Sequence, residues 1–95
     1  MAIGVVMEFP GGTLDQYDQV MELMELTDGA TAPEGLLFHW VAATEDGIRV
    51  TDVWEERAQF DRFAEEQIGP FTQQVGVPGP PRMDVFGVHN TLAGR

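Results

Sequence analysis

The sequence has 95 residues, of which 43% are hydrophobic, and its sixteen acidic and five basic residues give a net charge of −11. A chain of this length has room for one domain with a small core, so we expect a single domain over residues 1–95. The negative charge repels phosphate backbones and anionic lipid, which argues against nucleic acid and membranes as partners. The absence of cysteine and serine excludes disulfides, thiolate sites and a serine nucleophile.

The N-terminal segment is predicted to form a strand and then an amphipathic helix. Ala2 to Phe9 is rich in valine and isoleucine and has no basic n-region, so it reads as a strand and not as a signal peptide or spanning helix. A cytoplasmic protein is therefore expected. Thr13 and Gln16 form a capping-box pattern, and Asp28-Gly29 is the expected helix end. Apolar residues recur at helical spacing at Tyr17, Val20, Met21 and Met24.

The rest of the chain is predicted to form a hairpin, a second helix and a last strand. Leu36 to Thr44 and Ile48 to Trp54 are strands on either side of a turn, and the helix follows directly. It is predicted to break at Gly69-Pro70, because the residue before proline resists helical geometry, with a further short turn from Pro70 to Val75. The last strand is expected from Met83 to Asn90.

The element order β-α-β-β-α-β predicts a ferredoxin-like α+β fold, in which a four-stranded antiparallel sheet carries two helices on one face. A sheet with one wet face alternates apolar and polar residues, but the segment from Leu36 to Ala43 is mostly apolar on both faces. The face without helices therefore needs a cover. A second copy of the same sheet is the simplest one, so we expect a homodimer.

The segment "VWEERAQFDRF", in which the third strand runs into the second helix, resembles the dimeric α+β barrel superfamily, which includes the antibiotic-biosynthesis monooxygenase-like proteins. The resemblance covers nearly the whole chain. It implies a homodimer with a ligand cavity between sheet and helices in each subunit. Relatives often have serine where this sequence has Glu56, which implies the loss of a helix cap. Because members of the superfamily catalyse different reactions, the resemblance indicates architecture and not one reaction.

The same resemblance suggests site residues. Relatives with oxygenase activity place a tryptophan in the cavity at the position of Trp54, with an asparagine where this sequence has Val50. Haem-degrading relatives use a histidine on the second helix, whereas no residue from Glu56 to Val75 is histidine. Haem degradation is therefore not expected. With two histidines at no metal-ligand spacing and no glycine-rich phosphate loop, we expect neither metal nor cofactor.

The register of the hairpin decides which side chains face the cavity. The "EDG" turn favours a left-handed Gly47 and a bulge, which would place Phe38, Trp40, Val50, Asp52 and Trp54 on the cavity face. His39 and Val41, with Arg49, Thr51 and Val53, would then face the partner subunit. A two-residue loop would instead place His39 opposite Asp52, and this pair would be the better catalytic candidate, because a one-residue slip exchanges every partner.

Two functions follow from these residues. The first is a small-molecule enzyme that works without a cofactor on an aromatic or polyketide-like substrate, with Asp52 as general acid or base. Its ligand would be a small apolar or aromatic molecule, and its reaction would be of the monooxygenase, cyclase or isomerase type. The second is a non-catalytic binding or interaction module of the same fold. Ligand contacts are predicted for Trp54, Trp40, Phe38 and Val50, with His89 at the cavity mouth.

Overall fold

The fold is the predicted one, with an additional π-helical segment in the second helical run. The computed structural model describes residues 1–26 and 31–94. The strands, all antiparallel, lie in the order β2-β3-β1-β4 in one sheet. In chain order the elements are β1 (Ile3–Pro10), α1 (Leu14–Leu23), β2 (Leu36–Ala43), β3 (Gly47–Trp54), α2 (Arg57–Phe63), a π-helical segment (Ala64–Ile68), α3 (Gly69–Val75) and β4 (Arg82–Gly87).

The core lies between the helices and one face of the sheet, which we call the covered face. Alternate residues of the central strands β1 and β3 point into it, and Phe60 of α2 packs against them. The opposite face, which we call the open face, carries the intervening residues. The buried hydrophobic residues of the core cluster are Ile3, Val5, Met7, Phe9, Ile48, Val50, Trp54 and Phe60.

The first helix begins as the sequence predicts and ends earlier. The Thr13 hydroxyl accepts a hydrogen bond from the Gln16 N–H, and the Gln16 side chain accepts one from the Thr13 N–H, both at 3.1 Å. At the other end, the Leu26 N–H donates to the Met21 carbonyl while Glu25 is left-handed with φ 60°. This is a Schellman ending, reached without glycine. The predicted stop at Asp28-Gly29 lies outside the described residues.

The predicted break at Gly69-Pro70 is wrong, because the chain stays helical from α2 through to Val75. A proline inside a regular α-helix clashes with the carbonyl four residues earlier and lacks the N–H that would bond to it. The π-helical segment that precedes Pro70 widens the turn, and the Gly69 N–H donates to the Ala64 carbonyl five residues back. Pro70 then occupies the first turn of α3, where its missing N–H costs little.

The favoured register of the β2–β3 hairpin is also wrong. Ala43 pairs with Ile48 and His39 pairs with Asp52, and the Thr44 N–H donates to the Gly47 carbonyl across a two-residue loop. Gly47 is not left-handed. Position 47 requires glycine, because a Cβ there would lie 2.1 Å from the Phe9 carbonyl oxygen of β1. The glycine therefore allows two strands to approach closely and does not form the turn.

One irregularity lies at the other end of the hairpin, and β4 is shorter than predicted. Leu36 pairs with Trp54 and Phe38 with Val53, so that Leu37 is an extra, bulged residue in β2. The last strand ends at Gly87 and not at Asn90, although the Val88 N–H still donates to the Ala2 carbonyl. Among the described helices, none is long and apolar enough to cross a membrane.

Candidate functional site

A cavity of about 330 Å³ lies between the covered face of the sheet and the helices. Its walls are mostly aliphatic, aromatic and methionine side chains, and an apolar concave site of this kind is typical of small-molecule binding. The lining residues are Met7, Phe9, Tyr17, Val20, Met21, Met24, Leu26, Ala32, Pro33, Leu36, His39, Ile48, Val50, Asp52, Trp54, Phe63, Ile68, Thr72 and Val77.

A chain of hydrogen bonds forms the polar end of the cavity. The Tyr17 hydroxyl is hydrogen-bonded to His39 Nε2, and His39 Nδ1 lies 2.6 Å from Asp52 Oδ1. The Trp54 indole N–H donates to Asp52 Oδ2 at 3.1 Å. We call Tyr17, His39 and Asp52 the relay. Helix α1 provides the hydroxyl, and adjacent residues of the hairpin, paired by the observed register, provide the imidazole and the carboxylate.

Asp52 is the buried charged residue of the core, with 3% of its surface exposed. A buried carboxylate is costly unless it is hydrogen-bonded, and both of its oxygens are occupied, one by His39 and one by Trp54. A carboxylate has no donor, so the hydrogen on Nδ1 belongs to His39, and in the neutral imidazole Nε2 then accepts from the Tyr17 hydroxyl. This arrangement is the order of acceptor, imidazole and hydroxyl found in catalytic triads.

Tyr17 is the member of the relay whose pKa is clearly shifted by its surroundings. Burial first, and then the negative charges of Asp52 and Asp18, together raise the pKa of its hydroxyl from 10.0 to about 12. Its ring stacks on the His39 ring, with centroids 5.8 Å apart and planes 10° from parallel. The stacking fixes the direction of the hydroxyl, and the raised pKa keeps it protonated.

The Trp54 side chain is a fixed wall beside the relay. It is fully buried and packs edge-on against Phe60 and tilted against Phe63, with ring centroids 5.8 and 5.3 Å away. The fourth polar lining residue, Thr72, donates its hydroxyl to the carbonyls of Ile68 and Gly69. Its bonding capacity as a donor is therefore used within the helix, which leaves the relay as the polar anchor for a ligand.

The five residues that the sequence placed on the cavity face lie on two different faces of the sheet. Asp52, Trp54 and Val50 line the cavity. The placement of Trp40 and Phe38 in the cavity is wrong, because the observed register puts them on the open face, where they are 47% and 62% exposed.

The two histidines also differ from expectation. His39 was expected to face a partner subunit, but the observed register turns it to the covered face, so that prediction is wrong too. His89 is exposed beyond the end of β4 and is not among the described residues that line the cavity.

Sequence reasoning missed Tyr17 as a site residue. It lies on the apolar stripe of α1 and was interpreted as part of the core-facing pattern. The available signal was its chemistry, because it is the single tyrosine of the chain and its hydroxyl needs a polar partner when the stripe packs on a sheet. No cluster of three or more histidine, aspartate or glutamate side chains within the described ranges has the arrangement of a metal site.

The fold is shared with several solved proteins of low sequence identity. The chain is similar to Rv0793 of Mycobacterium tuberculosis, with a TM-score of 0.65, 15% identity, and 98% of this chain and 100% of that chain covered. It is similar to SnoaB, a cofactor-independent oxygenase from Streptomyces nogalater, with a TM-score of 0.60, 18% identity and coverage of 98% and 97%.

A third similar structure is the ActVA-Orf6 monooxygenase of Streptomyces coelicolor in complex with nanaomycin D, with a TM-score of 0.57, 17% identity and coverage of 99% and 92%. No protein-family model matches the sequence, and no curated protein has significant similarity to it. The protein has the fold of the antibiotic-biosynthesis monooxygenase-like proteins. The resemblance to the dimeric α+β barrel superfamily is thus confirmed for the fold.

Proposed function

We propose that the cavity binds one flat, mostly apolar small molecule and that the relay removes a proton from it. The observation that carries this proposal is the position of the Tyr17–His39–Asp52 chain at the polar end of an otherwise apolar cavity. Hydrogen-bonding groups gathered at one end orient a ligand, and apolar walls supply most of its binding free energy.

The hydrogen-bond directions give each residue a role. The Tyr17 hydroxyl donates to His39 Nε2, so its oxygen has a lone pair for a hydroxyl group of the ligand. The ligand proton moves to the Tyr17 oxygen as the Tyr17 proton moves to Nε2, leaving a ligand anion and a protonated imidazole. Asp52 accepts from Nδ1 and stabilises the imidazolium. Asp52 therefore acts through His39 and not, as the sequence suggested, by touching the substrate.

Two similar solved structures support the proposed reaction type and a small-molecule ligand. SnoaB is a cofactor-independent oxygenase, and the ActVA-Orf6 monooxygenase was crystallised with nanaomycin D. The first supports a reaction without a cofactor and the second a bound organic small molecule, while the apolar and aromatic cavity walls of this chain favour an aromatic or polyketide-like ligand. Removing a proton from a phenol or an enolisable carbonyl makes the ligand electron-rich, which is a common first step in oxygenation, cyclisation and isomerisation. We propose that the protein catalyses a reaction of this group without an organic cofactor.

The working form in this proposal is a homodimer. Phe38, Trp40 and Phe86 leave large aromatic surfaces exposed on the open face, at 62%, 47% and 57%. They lie on the two edge strands of the same face, and apolar surface exposed over one face marks an interaction surface. A second copy of the same sheet would cover them, in keeping with the dimeric α+β barrel architecture that the sequence resembles.

The test is a ligand screen with matched variants. Phenols, quinones and short polyketides are expected to raise the melting temperature and to quench Trp54 fluorescence in a Trp40→Phe background, since a ligand that binds the folded state stabilises it. Tyr17→Phe and His39→Gln should keep the fold and abolish turnover, whereas His89→Gln should leave both unchanged. Binding without turnover in the unaltered protein would favour the non-catalytic module, and no binding by any compound would contradict the proposal.

A further inference from the structure

The polar end of the cavity has a charge balance that selects among ligands of the same shape. The buried charge at this end is the Asp52 carboxylate, of which 3% is exposed. Its hydrogen-bond donors are the Trp54 indole, which is uncharged, and the His39 imidazole, which is uncharged while it carries one hydrogen. No arginine belongs to the described cavity lining, and the sequence has no lysine. The cation available to the site is therefore an imidazolium formed on His39.

Three of the five arginines are bound to carboxylates outside the cavity. Arg49 and Arg82 both bind the Glu8 carboxylate, and Arg49 and Glu8 lie on the open face, on paired residues of β3 and β1. Arg57 lies 3.6 Å from Asp61 on the exposed surface of α2. None of these guanidinium groups can neutralise an anion inside the cavity without leaving a carboxylate partner.

From this balance we infer that the site selects neutral ligands that carry a transferable proton, such as phenols and enols, and rejects permanent anions of the same shape, such as carboxylates. The inference rests on the proposed function. A neutral hydroxyl group supplies the proton that His39 takes up. The ligand anion and the imidazolium then cancel, and the net charge of the polar end remains the single negative charge of Asp52. A carboxylate brings a second negative charge and no proton to offset it.

The Tyr17 hydroxyl is an internal probe of the same environment. Burial, then Asp52 and Asp18, raise its pKa to about 12, so this environment favours the neutral over the charged oxygen. A ligand oxygen beside Tyr17 meets the same apolar walls and the same carboxylate. We therefore expect a ligand with a permanent negative charge to bind at least about tenfold more weakly than its neutral counterpart.

The experiment compares naphthol, naphthamide and naphthoate, substituted at the same ring position, by calorimetry at neutral pH. Naphthamide has the shape of naphthoate without its charge and controls for size. Naphthol and naphthamide are expected to bind, with naphthoate at least about tenfold weaker at both low and high salt, because a buried charge is screened less than a surface charge.

Two variants locate the origin of the difference. Asp52→Asn removes the buried charge and lets His39 donate from Nε2 to Tyr17, so the gap between naphthamide and naphthoate should shrink severalfold. Glu65→Gln removes one charge from an exposed helix position and should leave the gap unchanged.

Each outcome has one meaning. Equal affinities for naphthamide and naphthoate, a gap that disappears at high salt, or a gap of unchanged size in a folded Asp52→Asn variant would overturn the inference and leave the proposed function standing. The salt series uses the unaltered protein, so the inference remains testable if Asp52→Asn does not fold. Failure of all three compounds to bind would contradict the proposed function itself and the inference with it.

Discussion

The two faces of the sheet are built from the same strands and have opposite characters. The covered face buries a carboxylate and partly buries an imidazole among apolar side chains, and every described buried side-chain nitrogen and oxygen has a partner. The open face exposes Phe38 and Trp40 and keeps its charges at the Glu8–Arg49–Arg82 cluster. The relay is therefore on the covered face, whereas the open face carries an exposed ion-pair cluster and exposed aromatic side chains.

This comparison shows that a polar residue in a strand can be a core residue when its partners are provided. His39 and Asp52 are neighbours across the hairpin, and Trp54 and Tyr17 complete their hydrogen bonds. A one-residue slip of β2 would exchange His39 for Trp40 and leave Asp52 without its imidazole partner. The register of one hairpin thus determines both the relay and the exposed surface.

The largest expected effect comes from truncating one tryptophan on each face. Trp54→Ala removes a fully buried side chain and the indole donor to Asp52, and it should lower the free energy of unfolding by about 3–5 kcal/mol. Trp40→Ala, on the open face, should cost the isolated subunit less than about 1 kcal/mol. Denaturant titrations of both variants, at protein concentrations low enough to dissociate a dimer, measure the difference, and equal losses would contradict the assignment of faces.

The next effect concerns association. Val53 lies on the open face beside Phe38, and Val53→Asp would place an unpaired charge in a sheet-to-sheet interface, at a cost of several kcal/mol. We expect light scattering to show a dimer for the unaltered protein and for Val53→Thr, and a folded monomer for Val53→Asp. A 10.5 kDa species at micromolar concentration for the unaltered protein would contradict the homodimer.

The smallest effect is a dependence of stability on alkaline pH. The folded-state pKa of Tyr17 is raised from 10.0 to about 12, mainly by burial, so its contribution to stability is complete below pH 10. Between these values the unfolded chain loses a proton that the folded chain retains, and stability falls as the pH rises. Tyr17→Phe should remove this part of the slope in denaturant titrations, and an unchanged slope would show that Tyr17 is not buried against the relay.

The sequence predicts the element order and the fold because hydrophobic periodicity and turn residues act locally. The relay depends on tertiary geometry instead. Gly47 was interpreted as a turn residue, whereas its role is to let β3 approach the Phe9 carbonyl of β1, a contact that no local pattern contains. Pro70 likewise indicated a helix break, because the π-helical segment before it is not visible in residue spacing.

Site residues were predictable to the extent that they lie on β3. Asp52, Trp54 and Val50 were assigned to the cavity face and lie there, since β3 keeps its alternation against the core. The residues of β2 were assigned to the wrong faces because their orientation depends on the loop. Tyr17 comes from a helix, and its partnership with His39 joins residues 22 positions apart.

The most direct test of the proposal is the protonation of His39 on ligand binding, measured by nitrogen NMR of the imidazole in a His89→Gln background. Without ligand, the proposal requires a neutral ring with its hydrogen on Nδ1, the atom from which Asp52 accepts. Saturation with a phenol that binds should move the ring to the doubly protonated form as the ligand becomes an anion. A phenol that binds while the imidazole remains neutral and unchanged would contradict proton transfer through the relay.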